Sequence, residues 1–184
     1  RICQTIGKAV AGAEVKIVND RREKAEFGEV GEIACRGFGV MRGYNQLPEQ
    51  TQEVLDADGW FYTGDLGTMD SDGYVRYVGR KKEMIIRGGF NIYPQEIEGL
   101  LQKHPKVLET AVLGLPDPVL GEMTCAAVRL RPGESASPEE MIEFLKSMIA
   151  PYKLPARVVF LNELPSTASG KVQKAKLREQ ILNA

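Results

Sequence analysis

The chain has 184 residues, with 24 lysine and arginine residues against 25 aspartate and glutamate residues. This length allows one domain or two small ones, and a chain of this size buries about 70% of its unfolded surface without needing a disulfide or a metal. The balanced charge argues against a general nucleic-acid binder, and no apolar run approaches the roughly 18 residues of a membrane span.

Cysteine and histidine give little sign of metal or nucleophilic chemistry. Cys3, Cys35 and Cys125 are scattered and form no CxxC pair, so neither a zinc ribbon nor a disulfide framework is predicted, and a reducing cytoplasm is expected. His104 is the only histidine and precedes Pro105, which favours a helix-end role over a Ser-His-Asp or Cys-His site. The chain opens with Arg1 and lacks a signal-peptide pattern, which favours a piece of a longer protein.

Residues 1–78 are predicted to be rich in β-structure. Residues 14–18 alternate polar and apolar side chains, as a half-buried strand does. Further strands are predicted at 28–36 and 73–78, and a short helix at 48–55. Frequent glycines between these segments predict tight turns.

Residues 83–184 mix helices and strands, which predicts a compact α+β domain. A helix begins at Pro94, with Ile97, Leu100 and Leu101 on one face, and ends by Pro105. Strands are expected at 107–115 and 123–130, joined by a turn at 116–118. A strand at 157–161 and a helix at 174–182 follow.

Another helix is predicted to begin after Ser137. Ser137 is a suitable N-cap, Pro138 suits the first helical position, and Glu140 has the spacing of a capping box. The apolar side chains of this helix are expected on one face: Met141, Leu145, Met148 and Ile149. The short charged stretch 79–82 separates the two halves, and the domains are therefore predicted as 1–78, a hinge at 79–82, and 83–184.

Two phosphate-loop patterns are absent. A Walker loop ending at Lys171 would need glycine at position 165, which is proline, and serine or threonine at position 172, which is valine. The segment 37–39 lacks the third glycine of a dinucleotide-binding loop.

Three other segments have both a functional and a purely structural interpretation. The polar loop 164–171 ends in Lys171, which could carry a mobile ammonium to a developing negative charge or simply face solvent. Asp65 could accept hydrogen bonds from a sugar diol, each worth about 1.5–3 kcal/mol, or cap a turn. Gly88 and Gly89 could allow close backbone approach of a ligand or form a hairpin turn. Each segment alone favours the structural interpretation.

The order and spacing of these segments resemble the last third of the adenylate-forming enzyme superfamily, which includes acyl-CoA synthetases, luciferases and peptide-synthetase adenylation domains. The resemblance covers nearly the whole chain and rests on these segments in order: 31–33 with 42–44, 62–66, 79–82, 88–91 with 96–98, and 165–171. Residues 79–86 and 89–94 are most similar to the fatty acyl-CoA synthetase branch, because Asn91 stands where other branches often carry arginine or glutamine.

This resemblance implies a reaction in two halves. A carboxylate attacks the α-phosphate of ATP to give an acyl-adenylate and pyrophosphate, and the thiol of coenzyme A then displaces AMP. It implies a fold in which a β-rich remnant of the large N-terminal domain precedes a small mobile α+β domain with a three-stranded sheet, helices and a hairpin. The small domain swings about the hinge between the two half-reactions.

The resemblance also assigns roles to residues. Asp65 and Arg80 are expected to contact the ribose of ATP, and Lys82 to be the hinge residue. Lys171 is expected to be the catalytic lysine of adenylation, and Gly88, Gly89 and Phe90 to line the passage for the pantetheine of coenzyme A. No metal ligand is expected within this chain, because the family's magnesium ligand, phosphate loop and acyl pocket lie upstream, so the isolated chain is expected to be inactive in adenylation.

The expected partners are a carboxylic acid, ATP and coenzyme A, without nucleic acid; the oligomeric state is left open. A fatty or medium-chain acid is the expected substrate. Two enzymatic alternatives remain: loading of a carrier-protein thiol, and ligation of an aryl or alicyclic acid. A binding module without activity is disfavoured because Asp65, Arg80, Lys82 and Lys171 occur together.

Overall fold

The computed structural model describes residues 5–183, which form two compact units divided between Lys82 and Glu83. Both units combine strands with helices, so the predicted α+β class is confirmed. None of the helices in this part of the chain is long and apolar enough to cross a membrane.

The first unit is an antiparallel sheet of four strands in chain order. Its strands are β1 (Ala13–Val18), β2 (Gly31–Gly37), β3 (Phe61–Met69) and β4 (Val75–Arg80). The helix α1 (Pro48–Val54) lies between β2 and β3 in the chain. Each strand pairs with the next in sequence, so short turns and one helical connection are enough to build the sheet.

Apolar side chains cover both faces of this sheet. Ile17, Ile33 and Val75 form one buried cluster, whereas the next residue of β1, Val18, is buried in a second cluster with Ala34 and Tyr62. Successive strand residues point to opposite faces. The prediction of a half-buried β1 is therefore wrong at its C-terminal end, where both faces are covered.

The second unit is built on β7 (Val107–Asp117) and β8 (Gly121–Leu130), which pair antiparallel over most of their length. The strand β9 (Arg157–Phe160) pairs parallel with β8 and completes the three-stranded sheet. A hairpin of β5 (Ile85–Arg87) and β6 (Phe90–Ile92) joins this sheet through β8. The three central strands and the hairpin are present as predicted, and the hairpin extends the sheet to five strands.

Helices cover both faces of this second sheet. On one face, α2 (Pro94–Leu101) and α3 (Pro138–Lys146) bury Ile97, Leu101, Met141 and Leu145 against β7 and β8. On the other face, α4 (Lys174–Leu182) packs through Leu177 and Ile181. Because both faces are covered, β7 and β8 are continuously apolar in their central parts.

Two local predictions for this unit need correction. The strand β7 extends to Asp117 and β8 begins at Gly121. The turn between them therefore lies at 118–120 and not at 116–118. The carboxylate of Asp117 accepts hydrogen bonds from the backbone N–H groups of Val119 and Leu120, which fixes the turn there. Met148 was predicted on the apolar face of α3, but the helix ends at Lys146 and Met148 is 41% exposed.

Candidate functional site

Asp65 and Arg80 face each other across strands β3 and β4. The Nε atom of Arg80 lies 2.7 Å from Oδ1 of Asp65, without the alignment of a hydrogen bond. The Asp65 side chain is 28% exposed and that of Arg80 49% exposed, so a ligand can reach both. The two residues predicted to contact ribose therefore form one carboxylate–guanidinium pair at the end of the first sheet.

Partly buried hydrogen bonds fix the backbone beside Asp65. The hydroxyl of Thr63 donates to the carbonyl of Ile33 and accepts from the backbone N–H of Asp65, at 2.8 and 3.1 Å. The N–H of Gly64 donates to Oε1 of Glu32 at 2.9 Å. The carboxylate at position 65 is thus held on a rigid strand, which suits a group that must meet a ligand at a fixed place.

Lys81 fixes the chain immediately before the division between the units. Its ammonium lies 3.0 Å from Oδ1 of Asp20 and 3.1 Å from Oε2 of Glu32. Partial burial opposes its charge, but the hydrogen bonds to the two carboxylates raise the pKa of Lys81 above the ordinary lysine value. Lys81 therefore stays charged and ties the end of β4 to the first unit.

Lys82, the predicted hinge residue, differs from its neighbour. It lies in a short 3-10 turn, Lys81–Glu83, and is exposed. Glu83 follows it as the first residue of the second unit and bonds within that unit. The point of division is therefore one exposed lysine between two residues that are each held by ion pairs.

Gly88 and Gly89 form the two-residue turn of the β5–β6 hairpin. Their φ angles are +56° and +84°, and Arg87 pairs with Phe90 across the turn. Positive φ at both central residues is the pattern of a type I′ turn, which glycine adopts without steric cost. Both glycines are exposed, and a Cβ atom at Gly89 would meet no atom of the described residues, 5–183, within 4 Å.

An aromatic pair stands beside this turn. The rings of Phe90 and Tyr152 are stacked, with centroids 4.7 Å apart. Phe90 is 56% exposed and Tyr152 38% exposed, so the pair presents apolar surface to solvent. Arg87 donates to the carbonyls of Tyr152 and Leu154 at 2.9 and 3.3 Å, which fixes the segment that carries Tyr152.

Lys171 lies at the end of a hydrogen-bonded turn between β9 and α4. Thr167 closes the turn, because its N–H donates to the carbonyl of Lys171 and its carbonyl accepts from the N–H of Gly170. Ser166 pairs with Val172, and Leu164 anchors the turn in the core. The Lys171 side chain is exposed, and within residues 5–183 no carboxylate forms an ion pair with it. The polar loop predicted at 164–171 is thus a hydrogen-bonded turn, and among the described residues no carboxylate pairs with the ammonium that it presents.

A partly buried ion cluster lies directly after this turn. The ammonium of Lys174, the first residue of α4, lies 2.7 Å from Oε2 of Glu83 and 2.8 Å from Oε1 of Glu98. Oε1 of Glu98 also accepts a hydrogen bond from the N–H of Val112. Burial opposes the charge, but the nearby Glu98 and Glu83 carboxylates raise the pKa of Lys174 above its ordinary value.

The cysteines and the histidine have structural surroundings. Cys125 is fully buried, and burial raises its pKa to about 11, so its thiol stays protonated at neutral pH. Burial also raises the pKa of Cys35, and Cys3 lies outside the described residues. His104 is buried with its ring edge-on to Phe144. Between residues 5 and 183, no three or more histidine, cysteine or acidic side chains form a group that could hold a metal ion.

Comparison with known proteins identifies the family. Residues 96–171 match the AMP-binding enzyme C-terminal domain, and residues 2–45 match the AMP-binding enzyme family. The chain belongs to the AMP-binding enzymes. The resemblance inferred from the sequence segments is therefore confirmed.

This AMP-binding enzyme chain is similar to two acyl-CoA ligases and to a solved structure of MatB. It is 45% identical over 184 residues to the medium-chain fatty-acid–CoA ligase of Escherichia coli, covering 99% of this chain and 32% of that one. It is 44% identical to human mitochondrial medium-chain acyl-CoA ligase ACSF2, covering 97% of this chain and 29% of that one. The ATP-bound structure of MatB from Rhodopseudomonas palustris matches with a TM-score of 0.89 and 36% identity, covering 96% and 35%. The chain thus spans about a third of the length of these relatives.

The sequence patterns did not identify two bridging lysines that lie close in the chain to predicted site residues. Lys81 and Lys174 were not singled out, although each bridges two carboxylates. One sequence signal was available for Lys174, because a cation in the first turn of a helix opposes the helix dipole and needs a compensating partner.

Proposed function

We propose that this chain is part of an ATP-dependent acid–thiol ligase that forms acyl-CoA through an acyl-adenylate. The observation that carries the proposal is the Lys171 ammonium, exposed and without an ion-pair partner in residues 5–183, on an ordered turn of an AMP-binding enzyme. The similarity to two medium-chain acyl-CoA ligases and to ATP-bound MatB supports it.

In the first half-reaction, Asp65 and Arg80 bind the ribose of ATP. The carboxylate of Asp65 accepts hydrogen bonds from the ribose hydroxyls, and Arg80 donates beside it. Lys171 brings its ammonium to the carboxylate of the acid and the α-phosphate, where negative charge develops. Because this lysine forms no ion pair with a carboxylate of residues 5–183, it can meet that charge without breaking such a pair.

In the second half-reaction, the thiol of coenzyme A reaches the acyl-adenylate beside Gly88, Gly89 and Phe90. A turn without side chains leaves room for the narrow pantetheine arm, and the exposed Phe90 ring offers it an apolar wall. The thiol sulfur forms a bond to the acyl carbon, the thiol proton passes to water, and AMP departs as the acyl–oxygen bond breaks.

A pivot at Lys82 separates the two tasks in time. Phosphate chemistry needs the Lys171 ammonium, whereas thiol entry needs the glycine turn, and the two lie on different elements of the second unit. We infer domains at 1–78 and 83–184 with a hinge at 79–82. Rotation of the second domain would withdraw one feature as the other arrives.

A medium-chain fatty acid is the substrate class that the two medium-chain relatives favour. Magnesium would act with ATP through ligands that the family carries upstream of this region. The scattered cysteines favour a reducing cytoplasm, whereas the name of the human relative places that protein in mitochondria.

The test of this function is acid-dependent AMP release by the full-length protein that carries this chain. Octanoate with ATP and coenzyme A is expected to release AMP and form octanoyl-CoA at equal rates. Benzoate and succinate provide the aryl and dicarboxylate comparison, and a phosphopantetheinylated carrier protein replaces coenzyme A in a parallel assay. The proposal would be contradicted if the acyl group were transferred faster to the carrier protein than to coenzyme A, or if benzoate were turned over and octanoate were not.

Asp65→Asn in that protein is expected to raise the KM for ATP about tenfold, because a neutral amide accepts a weaker hydrogen bond from ribose than a carboxylate does. Steady-state kinetics with ATP as the varied substrate check this. Asp72→Asn, a change of an exposed aspartate in a turn of the same unit, serves as the control. An unchanged KM for ATP in Asp65→Asn would remove the ribose contact from the mechanism.

A further inference from the structure

We propose that Lys174 is a positioning residue for adenylation, which holds the Lys171 turn in a fixed place relative to the pivot through Glu83 and Glu98. This inference rests on the proposed function of Lys171. It adds a group that touches neither substrate nor nucleotide and acts through the turn that precedes it.

The geometry of the cluster joins the relevant elements within the second unit. Lys174 begins α4, Glu98 lies in α2, and Glu83 is the first residue after Lys82. The two ion-pair distances of 2.7 and 2.8 Å bring these three segments to one point. Glu98 is in turn fixed by the N–H of Val112 in β7. The residue beside the pivot and the first residue of α4 are thus linked through one ammonium.

The same point is continuous with the catalytic turn. Gln173, directly before Lys174, donates its backbone N–H to the carbonyl of Pro165 and its side-chain amide to the carbonyl of Ser166, both at 2.7 Å. These bonds close the base of the turn. Displacement of Lys174 would therefore move the base of the turn and, through it, Lys171.

Electrostatics argue that the cluster serves placement and does not simply add helix stability. Lys174 is the first residue of α4, where the positive end of the helix dipole disfavours a cation. Its side chain is only 22% exposed, so the charge is also removed from much of its hydration. Because the helix dipole and the lost hydration both disfavour the Lys174 charge, the two carboxylates are needed to stabilise it. The two ion pairs therefore fix the position of the ammonium.

The experiment measures both half-reactions in the full-length protein for Lys174→Met, Lys174→Arg and the control Lys176→Met. Lys176 is exposed in the same helix, so its change removes a charge without touching the cluster. Adenylation is followed as pyrophosphate release in a single turnover, and thioester formation is followed from supplied acyl-adenylate.

Lys174→Met is expected to lower the adenylation kcat about tenfold, since a misplacement near 1 Å can cost up to roughly 100-fold. The KM for ATP and the thioester rate are expected to stay within twofold of wild type, as are both rates in Lys176→Met. Lys174→Arg is expected to recover most of the adenylation rate. In a Lys171→Ala background, Lys174→Met is expected to add no further loss, because both changes remove the same contribution.

The inference would be overturned if Lys174→Met formed acyl-adenylate at the wild-type rate, or if it slowed both half-reactions equally. It would also be overturned if the losses of adenylation rate from Lys171→Ala and Lys174→Met multiplied in the double variant. If Lys174→Met does not fold, Glu83→Gln replaces it, because this change keeps the size of the side chain and weakens one of the two ion pairs. Glu83→Gln is expected to lower the adenylation rate several-fold without changing the thioester rate. An unchanged adenylation rate would overturn the inference. Lys171→Ala separates the two proposals. If Lys171→Ala leaves adenylation intact, the proposed function fails. If Lys171→Ala abolishes adenylation but the Lys174 variants do not slow it, only the positioning role of Lys174 fails.

Discussion

Lys171→Ala in the full-length protein is expected to slow acyl-adenylate formation about 100- to 1000-fold, while thioester formation from supplied acyl-adenylate stays near the wild-type rate. The magnitude is that of removing one charge-stabilising group from a transition state, roughly 3–4 kcal/mol. The ammonium is exposed and forms no ion pair within residues 5–183, so its loss leaves no buried charge behind in the folded unit. The two rates are measured separately in single-turnover assays.

The matched control for this variant is Lys176→Ala, which removes another exposed lysine from the following helix. It is expected to leave both half-reactions within twofold of wild type. If Lys171→Ala slowed both half-reactions equally, or slowed neither, the lysine would have no selective role in adenylation.

Gly89→Leu is expected to produce the opposite result, with thioester formation slowed about 100-fold and adenylation nearly unchanged. A Cβ atom at position 89 would meet no atom of residues 5–183 within 4 Å, so a leucine side chain there is expected to project into the space proposed for the pantetheine arm. The backbone strain of a non-glycine residue at φ +84° adds a cost to folding of about 1–3 kcal/mol. Rapid-quench measurement of thioester formation reports the effect.

Gly133 offers a close control for that strain. Its φ angle is +83°, it belongs to the same unit, and a Cβ atom there also meets nothing within 4 Å. Gly133→Leu therefore carries the same backbone strain at a site without a proposed ligand. Should it slow thioester formation as much as Gly89→Leu does, the effect would be one of stability and not of thiol access.

Periodicity and capping predicted most of the elements, because their signals are local. Ser137 accepts the N–H of Glu140 as an N-cap does, and α4 has the predicted bounds. The strand β3 was not predicted, although it carries Asp65. Its sequence includes Gly64 and Gly67, which strands disfavour, and its place between β2 and β4 compensates through pairing on both edges.

The candidate site was predictable only where the family segments carry it. Asp65 and Arg80 proved to be opposite each other in adjacent strands, which the sequence spacing alone does not indicate. The contacts of Lys81 with Glu32 and of Lys174 with Glu98 join residues far apart in the chain, so no local pattern reports them. Tertiary packing decides how these charges pair. Glu32, Lys81 and Glu98 lie within the family segments and Lys174 lies outside them, but the segments do not indicate which residues form the pairs.

The proposed mechanism requires the unit beginning at Glu83 to pivot, so that it delivers Lys171 and the Gly88–Gly89 turn in succession. A distance measurement between spin labels at exposed Glu29 and exposed Lys103 in the full-length protein tests it most directly. Other reactive cysteines are replaced, whereas the buried Cys125, with a pKa of about 11, can stay. Two discrete distances are predicted, one with ATP and an unreactive acid analogue, the other with an acyl-adenylate analogue and coenzyme A. One unchanged distance in both states would contradict a pivot at Lys82.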